Sequence, residues 1–455
     1  MVFSSLIFIY AFLPLSLLCY KICKTKKAQN IILLVFSLVF YAWGEPIYVA
    51  LLMLVAFISW LGGMLIEREE SESKRKAILL FVSILELLPI AFFKYFGFFW
   101  EVFGPVPEFI KNIALPIGIS FYTFQLITYD VDIYRKEAKA QSSYFNVLLY
   151  AALFHQCIAG PIVRYKSISY ELFTERSEIR LEEGILRFTT GLAKKAVLAN
   201  ACGALAESIL VGEISSMTVL SSWLGAISYT LQIYLDFSAY SDMAIGMGLM
   251  LGLTYPENFN YPYISASVTE FWRRWHISLS TFFRDYVYIP MGGNRCSKPR
   301  WIFNMLLVWA LTGLWHGASW NFVLWGLYYF AFLMLEKLLM SKFLGKFKVL
   351  NHIYLLLVVI IGWVLFYFTD ISKAFMLIGN MFGTLGNVFS DYISITVLEN
   401  NIFLLLFSAF VCTPIPAKLI RKIPDRFGII PVVLLLIATC ALVGDSFNPF
   451  IYFRF

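Results

Sequence analysis

Residues 354–368 read YLLLVVIIGWVLFYF, a continuous run without a charged side chain. A second such run, IILLVFSLVFYAW, occupies residues 31–43. Continuous apolar runs are typical of helices that cross a bilayer, whose hydrocarbon core of about 30 Å needs about 20 mostly apolar residues. A transmembrane β-barrel would instead show short segments of alternating polarity. The two runs therefore predict α-helical spans.

The composition of the whole chain supports this prediction. Of the 455 residues, 60% are hydrophobic and 14% are charged, whereas soluble domains carry roughly 25% charged residues. So few charges could not cover that much apolar surface in water, so lipid must be the solvent for much of it. We predict an all-α polytopic integral membrane protein with about 10–12 transmembrane helices, plus re-entrant and interfacial cytoplasmic helices.

Basic residues are gathered in separate loops between the apolar segments. The positive-inside rule places such loops in the cytoplasm. The loops concerned are 21–27, 67–76, 135–139, 271–300, 342–348 and 418–426. They account for the net charge of +7, so we expect no nucleic-acid partner. Lys342, Lys346, Arg421 and Arg426 belong to the last two loops.

Residues 312–321, TGLWHGASWN, place His316 between two apolar segments that form a predicted hairpin. The glycines on both sides of the histidine allow a helix break and a close backbone approach. Ionisable groups inside spans are costly and often functional. A neutral imidazole can accept a proton from a hydroxyl near pH 7. We interpret His316 as a candidate general base; a histidine that only joins two helices by hydrogen bonds is the alternative.

A second histidine lies in residues 271–280, FWRRWHISLS. Arg273 and Arg274 fit an anchor at the inner membrane surface, or a cationic surface that receives a phosphorylated or acidic carrier. In the second interpretation, His276 lines the cavity that leads to His316. Taken alone, His276 fits a structural hydrogen bond equally well.

Two aspartates occur in residues 235–242, LDFSAYSD, within an apolar helix pair. Asp236 and Asp242 point about 120° apart on a helix of 3.6 residues per turn, so they do not form one proton-transfer pair. We predict that they hold arginines or backbone around a water-filled cavity.

Proline and glycine at membrane depth indicate interrupted helices, which are tolerated where backbone is buried in protein or lines a cavity. They occur in residues 115–125, LPIGISFYTFQ, and 155–165, HQCIAGPIVRY. We interpret His155 in the second stretch as structural. The seven cysteines show no metal-ligand spacing, and we find no G-x-S-x-G, phosphate-loop or H-E-x-x-H motif. No metal site is therefore predicted.

Taken together, these stretches resemble the membrane-bound O-acyltransferase family, and within it the bacterial alginate and exopolysaccharide acetylases. The resemblance runs in order from Leu115 to Gly326. It is carried by LPIGISFYTFQ, IAGPIVRY, YLDFSAYSDMAIGMG, ENFNYPY, FWRRWHISLSTFFRDYVYIPMGGNR and LTGLWHGASWNFVLWG. One departure is the triplet His155-Gln156-Cys157, where Pro-Gln-Leu or a similar triplet is expected.

The resemblance implies tilted helices around a central funnel, with His316 as the catalytic histidine and His276 as a second histidine lining the tunnel. It implies one membrane domain, 1–455, with N-terminal helices at 1–110, a catalytic core at 111–340 and C-terminal helices at 341–455. The remaining candidates for contact with substrate or donor are Arg273, Arg274, Trp315, Ser319, Asn321, Tyr240 and Asp236. Ser319 or Asn321 would stabilise the oxyanion.

The resemblance also implies partners. The acyl donor would be a cytoplasmic thioester, either acetyl-CoA or an acylated carrier protein, with no bound cofactor. The acceptor would be a polysaccharide, reached with an extracytoplasmic esterase-like acetyltransferase, and the chain would lie in the bacterial inner membrane.

Three alternatives stay open. Within the family, the chain could transfer D-alanine to teichoic acid, although the YLDFSAYSDMAIGMG and FWRRWHISLS stretches favour the polysaccharide branch. Outside it, a transporter would share the broken helices, but transporters often show two related halves and we find none. A scaffold for a polysaccharide secretion complex is the third, and His316 would then be dispensable.

Overall fold

Regular structure in this protein is helical. A computed structural model describes residues 1–111, 113–340, 347–420, 422–423 and 428–444, and within these ranges every regular element is a helix. The prediction of an all-α fold is confirmed. Lys342, Lys346, Arg421 and Arg426, which we placed in cytoplasmic loops, lie outside the described residues.

Several helices are long and apolar enough to cross a bilayer. In the described part of the chain six meet this criterion, namely Lys26–Gly44, Val49–Arg68, Glu72–Trp100, Trp320–Met340, Lys348–Tyr367 and Tyr392–Val411. Two shorter apolar helices are Phe8–Ile22 and Ile429–Gly444. The chain is thus a multi-pass membrane protein, as predicted. The larger number of about 10–12 spans and the central funnel stay predictions.

Contacts between residues divide the chain into two compact units. Unit 1 comprises Met1–Phe188 and Tyr240–Glu257, and unit 2 comprises Thr189–Ala239 and the described part of Asn258–Phe455. The prediction of a single domain is not tested by this division and stays a prediction.

Unit 1 is a bundle in which the helix Val49–Arg68 packs against Glu72–Ile90, Ile119–Tyr134 and Tyr144–Ala152. After Ala152 the chain leaves the helical conformation until Tyr165, as the proline and glycine there predict. The remaining helices that begin in unit 1 are Phe8–Phe12, Leu13–Ile22, Lys26–Gly44, Ala91–Tyr95, Phe96–Trp100, Glu108–Lys111, Tyr165–Phe173 and Leu181–Ala193, the last of which ends in unit 2.

Unit 2 contains the predicted hairpin and a large aromatic core. Its long helix Val219–Met250 contributes residues 219–239 here and 240–250 to unit 1. The other helices are Lys194–Ala199, Asn200–Leu210, Ile214–Ser216, Pro262–Ile264, Val268–Arg274, Ile277–Phe282, Phe283–Tyr288, Lys298–His316, Trp320–Leu335, Glu336–Met340, Lys348–Tyr367, Ile371–Met381, Tyr392–Val411, Ile415–Ile420 and Ile429–Gly444. Both candidate catalytic histidines therefore belong to unit 2.

Candidate active site

His316 stands at the break between two helices. The first helix, Lys298–His316, has a proline in its opening turn, where a missing backbone N–H is tolerated. It ends at the histidine because Gly317 takes an extended conformation, with φ −173° and ψ 157°. The second helix, Trp320–Leu335, starts after Ser319. The glycine next to the histidine therefore creates the break that the sequence predicts.

The two helices of this hairpin are in close backbone contact. A Cβ atom added to Gly313 would lie 2.3 Å from the carbonyl oxygen of Phe322. One added to Gly326 would lie 2.3 Å from that of Trp309. Glycine is the residue that allows such an approach, so these two positions fix the hairpin that carries His316.

The imidazole of His316 is enclosed by aromatic rings. Its centroid lies 4.9 Å from that of Trp315, 5.0 Å from Trp325 and 5.1 Å from Phe366. The residue keeps 8% of its surface exposed. A cavity of about 490 Å³ beside Glu207 and one of about 390 Å³ beside Phe81 are lined by other residues. The route by which a substrate would reach this ring stays a prediction.

His276 is held in an unusual backbone conformation. Its φ of 45° and ψ of 54° lie in the left-handed region, which non-glycine residues seldom occupy. The residue is 1% exposed. Its ring packs edge-on against Phe237, with centroids 4.7 Å apart. Such strain persists where the surroundings over-determine it, as they often do at functional sites.

Trp315 connects the two histidines. Its ring centroid lies 5.6 Å from that of His276 and 4.9 Å from that of His316. Three residues that are separated by up to 40 positions in the sequence thus form one cluster. This histidine pair consists of ionisable groups set in apolar surroundings, an arrangement typical of active sites.

Comparison with known proteins identifies the family. The sequence profile of the membrane-bound O-acyltransferase family, MBOAT, matches residues 77–378, which is more than half of the chain and includes both histidines. The chain belongs to the membrane-bound O-acyltransferase family. It is therefore an acyl-transferring enzyme, and the transporter and scaffold alternatives are set aside.

Individual relatives agree with this assignment. The chain is 39% identical to "Probable alginate O-acetylase AlgI" of Azotobacter vinelandii, over 84% of this chain and 78% of that protein. It is 32% identical to "Peptidoglycan O-acetyltransferase" of Helicobacter pylori, over 72% of this chain and 68% of that protein. It is 29% identical to "Teichoic acid D-alanyltransferase" of Bacillus subtilis, over 52% of this chain and 62% of that protein.

Asp236 and Asp242 of this acyltransferase pair with different basic side chains. Asp236 forms an ion pair with Lys195 at 2.8 Å, and both side chains are buried. Asp242 pairs with Arg187 at 2.6 Å. The second contact is the arginine that we expected, whereas the first is a lysine, which the sequence analysis missed. Lys195 stands within an apolar segment, and a charge in such a segment is the signal that could have revealed it.

The hairpin carries two further candidate residues, Asn321 and Ser319. Asn321 is buried, and its Nδ2 donates to the carbonyl oxygens of Leu365, at 3.4 Å, and Phe366, at 3.3 Å. Since Phe366 contacts His316, this amide helps to fix one wall of the ring's enclosure. Ser319 is half-buried at the start of the second helix.

The two arginines differ in their surroundings. Arg274 pairs with Glu270 at 2.9 Å and donates to the carbonyl oxygen of Asn260 at 3.1 Å. Arg273 is exposed. Arg273 is therefore the more accessible of the two, and donor binding by either arginine stays a prediction.

Tyr240 and His155 belong to unit 1. Tyr240 stacks on Phe3, with ring centroids 4.3 Å apart. His155 is fully buried, and its Nδ1 is hydrogen-bonded to the hydroxyl of Tyr255. The substrate-binding role of Tyr240 and the structural role of His155 both stay predictions.

The sequence analysis also missed two residues that bind the stretch from Val268 to Ser278, which contains His276. Glu336 is buried and accepts hydrogen bonds from Val268 N, at 2.6 Å, and from Thr269 N, at 2.9 Å. It thereby binds the N-terminus of the short helix that leads to the histidine. Asn258 contacts the histidine itself. Both contacts join residues that are distant in sequence, although Asn258 lies within the ENFNYPY stretch already quoted.

Proposed function

We propose that the chain transfers an acetyl group from a cytoplasmic thioester across the bacterial inner membrane toward hydroxyl groups of an extracellular polysaccharide. The observation that carries the proposal is the pair of buried histidines that share contact with Trp315 at the break of a glycine-packed hairpin. Imidazole is the side chain best suited to accept a hydroxyl proton at neutral pH.

In the proposed reaction, the acceptor hydroxyl oxygen attacks the carbonyl carbon of the thioester. His316 accepts the hydroxyl proton as the carbon–oxygen bond forms. The carbon–sulfur bond then breaks, and the proton passes to the departing thiolate, so that an ester and a thiol are the products. The aromatic enclosure excludes water, which limits hydrolysis of the thioester.

Ser319 is the better of the two oxyanion donors. The Nδ2 group of Asn321 already donates to two backbone carbonyls, whereas Ser319 follows His316 by three residues and is itself half-buried. A donor aimed at the developing negative charge strengthens as the transition state forms. Asn321 instead positions Phe366 against the His316 ring.

The donor is acetyl-CoA or an acylated carrier protein, with no bound cofactor. Both donors carry phosphate groups, and a carrier protein adds acidic side chains. Arg273 is exposed and stands three positions before His276. The stretch that follows, residues 284–300, adds the basic residues Arg284, Arg295, Lys298 and Arg300. Guanidinium groups bind phosphate and carboxylate in bidentate fashion.

On the outer side, an esterase-like acetyltransferase would complete transfer to the polysaccharide. D-alanyl transfer to teichoic acid is the second candidate, and the relative of that name supports it with 29% identity over 52% of the chain. Acetyl transfer is favoured because the alginate relative matches at 39% over 84%.

Mass spectrometry of the cell's exopolysaccharide tests the proposal. Cells with the wild-type chain should carry O-acetyl esters that are absent with His316→Ala, while His352→Ala serves as a matched control. D-alanyl esters in place of acetyl would establish the second candidate. Normal acetylation by a His316→Ala protein that is expressed at the wild-type level would refute the proposed role of the histidine.

A further inference from the structure

Asn258 is hydrogen-bonded to three consecutive residues, His276, Ile277 and Ser278. Its side-chain Oδ1 lies 3.1 Å from His276 Nδ1, accepts from Ser278 N at 3.3 Å and accepts from the Ser278 hydroxyl at 2.8 Å. Its backbone oxygen accepts from Ile277 N at 2.9 Å. Asn258 is itself fully buried. These contacts hold His276 in its left-handed conformation, which non-glycine residues seldom adopt.

The contact with Ser278 fixes the orientation of the Asn258 amide. An asparagine side chain has an oxygen that accepts and a nitrogen that donates. A backbone N–H can only donate, so the Asn258 atom that faces Ser278 N is the oxygen. The same oxygen faces the imidazole of His276.

The Asn258 oxygen in turn determines which nitrogen of the His276 ring carries the hydrogen. An amide oxygen has no hydrogen to give, so Nδ1 of His276 must carry the hydrogen of the bond between them. A neutral imidazole is protonated on one nitrogen only, so its Nε2 is the acceptor. The ring lies among Phe237, Phe259 and Trp315, and such surroundings disfavour a charged imidazolium.

We propose that Asn258 is a positioning residue that holds His276 in the Nδ1–H tautomer, so that Nε2 is the accepting nitrogen of a ring that contacts Trp315. This inference rests on the proposed function, in which His276 lines the acyl-transfer site. The neutral ring then binds a hydroxyl or thiol hydrogen at Nε2 and does not donate to the oxyanion. The oxyanion donor must therefore come from another residue, which agrees with Ser319.

The tautomer can be measured without any transfer reaction. The full chain holds four histidines, so a ¹⁵N-histidine spectrum in lipid nanodiscs contains few signals, and those of His276 are the ones lost in His276→Gln. We expect Nδ1 at the shift of a protonated nitrogen and Nε2 at that of an unprotonated one. The reverse pattern, or an equal mixture of tautomers, overturns the inference.

Two substitutions of Asn258 extend the test. Asn258→Asp keeps an accepting oxygen and should keep the tautomer. Asn258→Leu removes it, so both tautomers should appear and kcat should fall roughly 10- to 100-fold, with KM little changed. The control is Asn304→Leu, which removes a buried amide that donates to Met291 O at 3.2 Å and should leave the tautomer unchanged.

The outcomes separate this inference from the proposed function. An Asn258→Leu protein that folds and keeps the wild-type tautomer and kcat overturns the role of Asn258 alone. Normal transfer by His316→Ala, with the expected His276 spectrum, overturns the role of His316 alone. If Asn258→Leu does not fold, the wild-type and Asn258→Asp spectra still decide the matter.

Discussion

His155 of unit 1 and His276 of unit 2 are both fully buried, and each has its Nδ1 hydrogen-bonded to a neighbouring side chain. Their partners differ. The hydroxyl of Tyr255, beside His155, can donate or accept, whereas the Asn258 oxygen beside His276 only accepts. Burial and a polar partner are therefore common to a histidine predicted to be structural and to a candidate functional one. The partner's chemistry and the shared contact with Trp315 distinguish them.

The largest expected difference is between the effects of substituting His316 in unit 2 and His155 in unit 1 on the rate of acyl transfer. His316→Gln should lower the rate about 10²- to 10⁴-fold, because a general base contributes that much. His155→Gln should lower it far less, since its ring takes no part in the proposed reaction. Initial rates with a labelled acetyl thioester measure both. Equal losses in two folded proteins would erase the distinction that we draw.

The second largest difference is between the losses of stability caused by removing a paired lysine from unit 2 and from unit 1. Lys195→Met removes the buried cation that pairs with Asp236, and breaking a buried ion pair in this way should lower the free energy of unfolding by roughly 3–5 kcal/mol. Lys166→Met in unit 1 removes a partly exposed pair with Glu137, which is worth about 0.2–1 kcal/mol. Thermal unfolding in nanodiscs measures both, and the double variant Lys195→Met/Asp236→Leu should recover stability. A Lys195→Met protein as stable as the wild type would contradict the ion pair.

A smaller effect is expected from the hairpin glycines. Gly313→Ala places a methyl group 2.3 Å from a backbone oxygen, and the resulting shift should destabilise the protein by about 1–3 kcal/mol. In Gly444→Ala, no atom of the described residues lies within 4 Å of the new methyl group, and the change should be neutral or slightly stabilising. If the two alanine variants unfold at the same temperature, the helices do not approach as described.

The smallest effect concerns the exposed arginines. Arg273→Ala should raise KM for the thioester donor a few-fold with kcat unchanged, because a screened surface charge contributes about 1 kcal/mol or less. Arg180→Ala in unit 1, an exposed arginine paired with Glu183, is the control and should leave KM as it is. The KM effect should shrink at high salt. A change in kcat alone would argue against donor binding.

The sequence predicts the helices better than the contacts between them. Apolar runs such as 354–368 reveal spans because lipid demands them, and Gly317 next to His316 predicts the break. The helix Ile371–Met381 was not predicted, since only one face of it, with Ala374, Leu377 and Met381, is buried. Lys195, Glu336 and Asn258 act on partners 18 to 68 positions away. Periodicity and composition carry no information about such pairs.

Chemical rescue tests the central claim most directly. Purified His316→Ala protein in nanodiscs would be assayed with a labelled acetyl thioester and a soluble polysaccharide acceptor, with and without added imidazole. We predict a loss of about 10²-fold or more, partly restored by imidazole in proportion to its unprotonated fraction. A folded His316→Ala protein that transfers acetyl at the wild-type rate, indifferent to imidazole, would contradict the role assigned to His316.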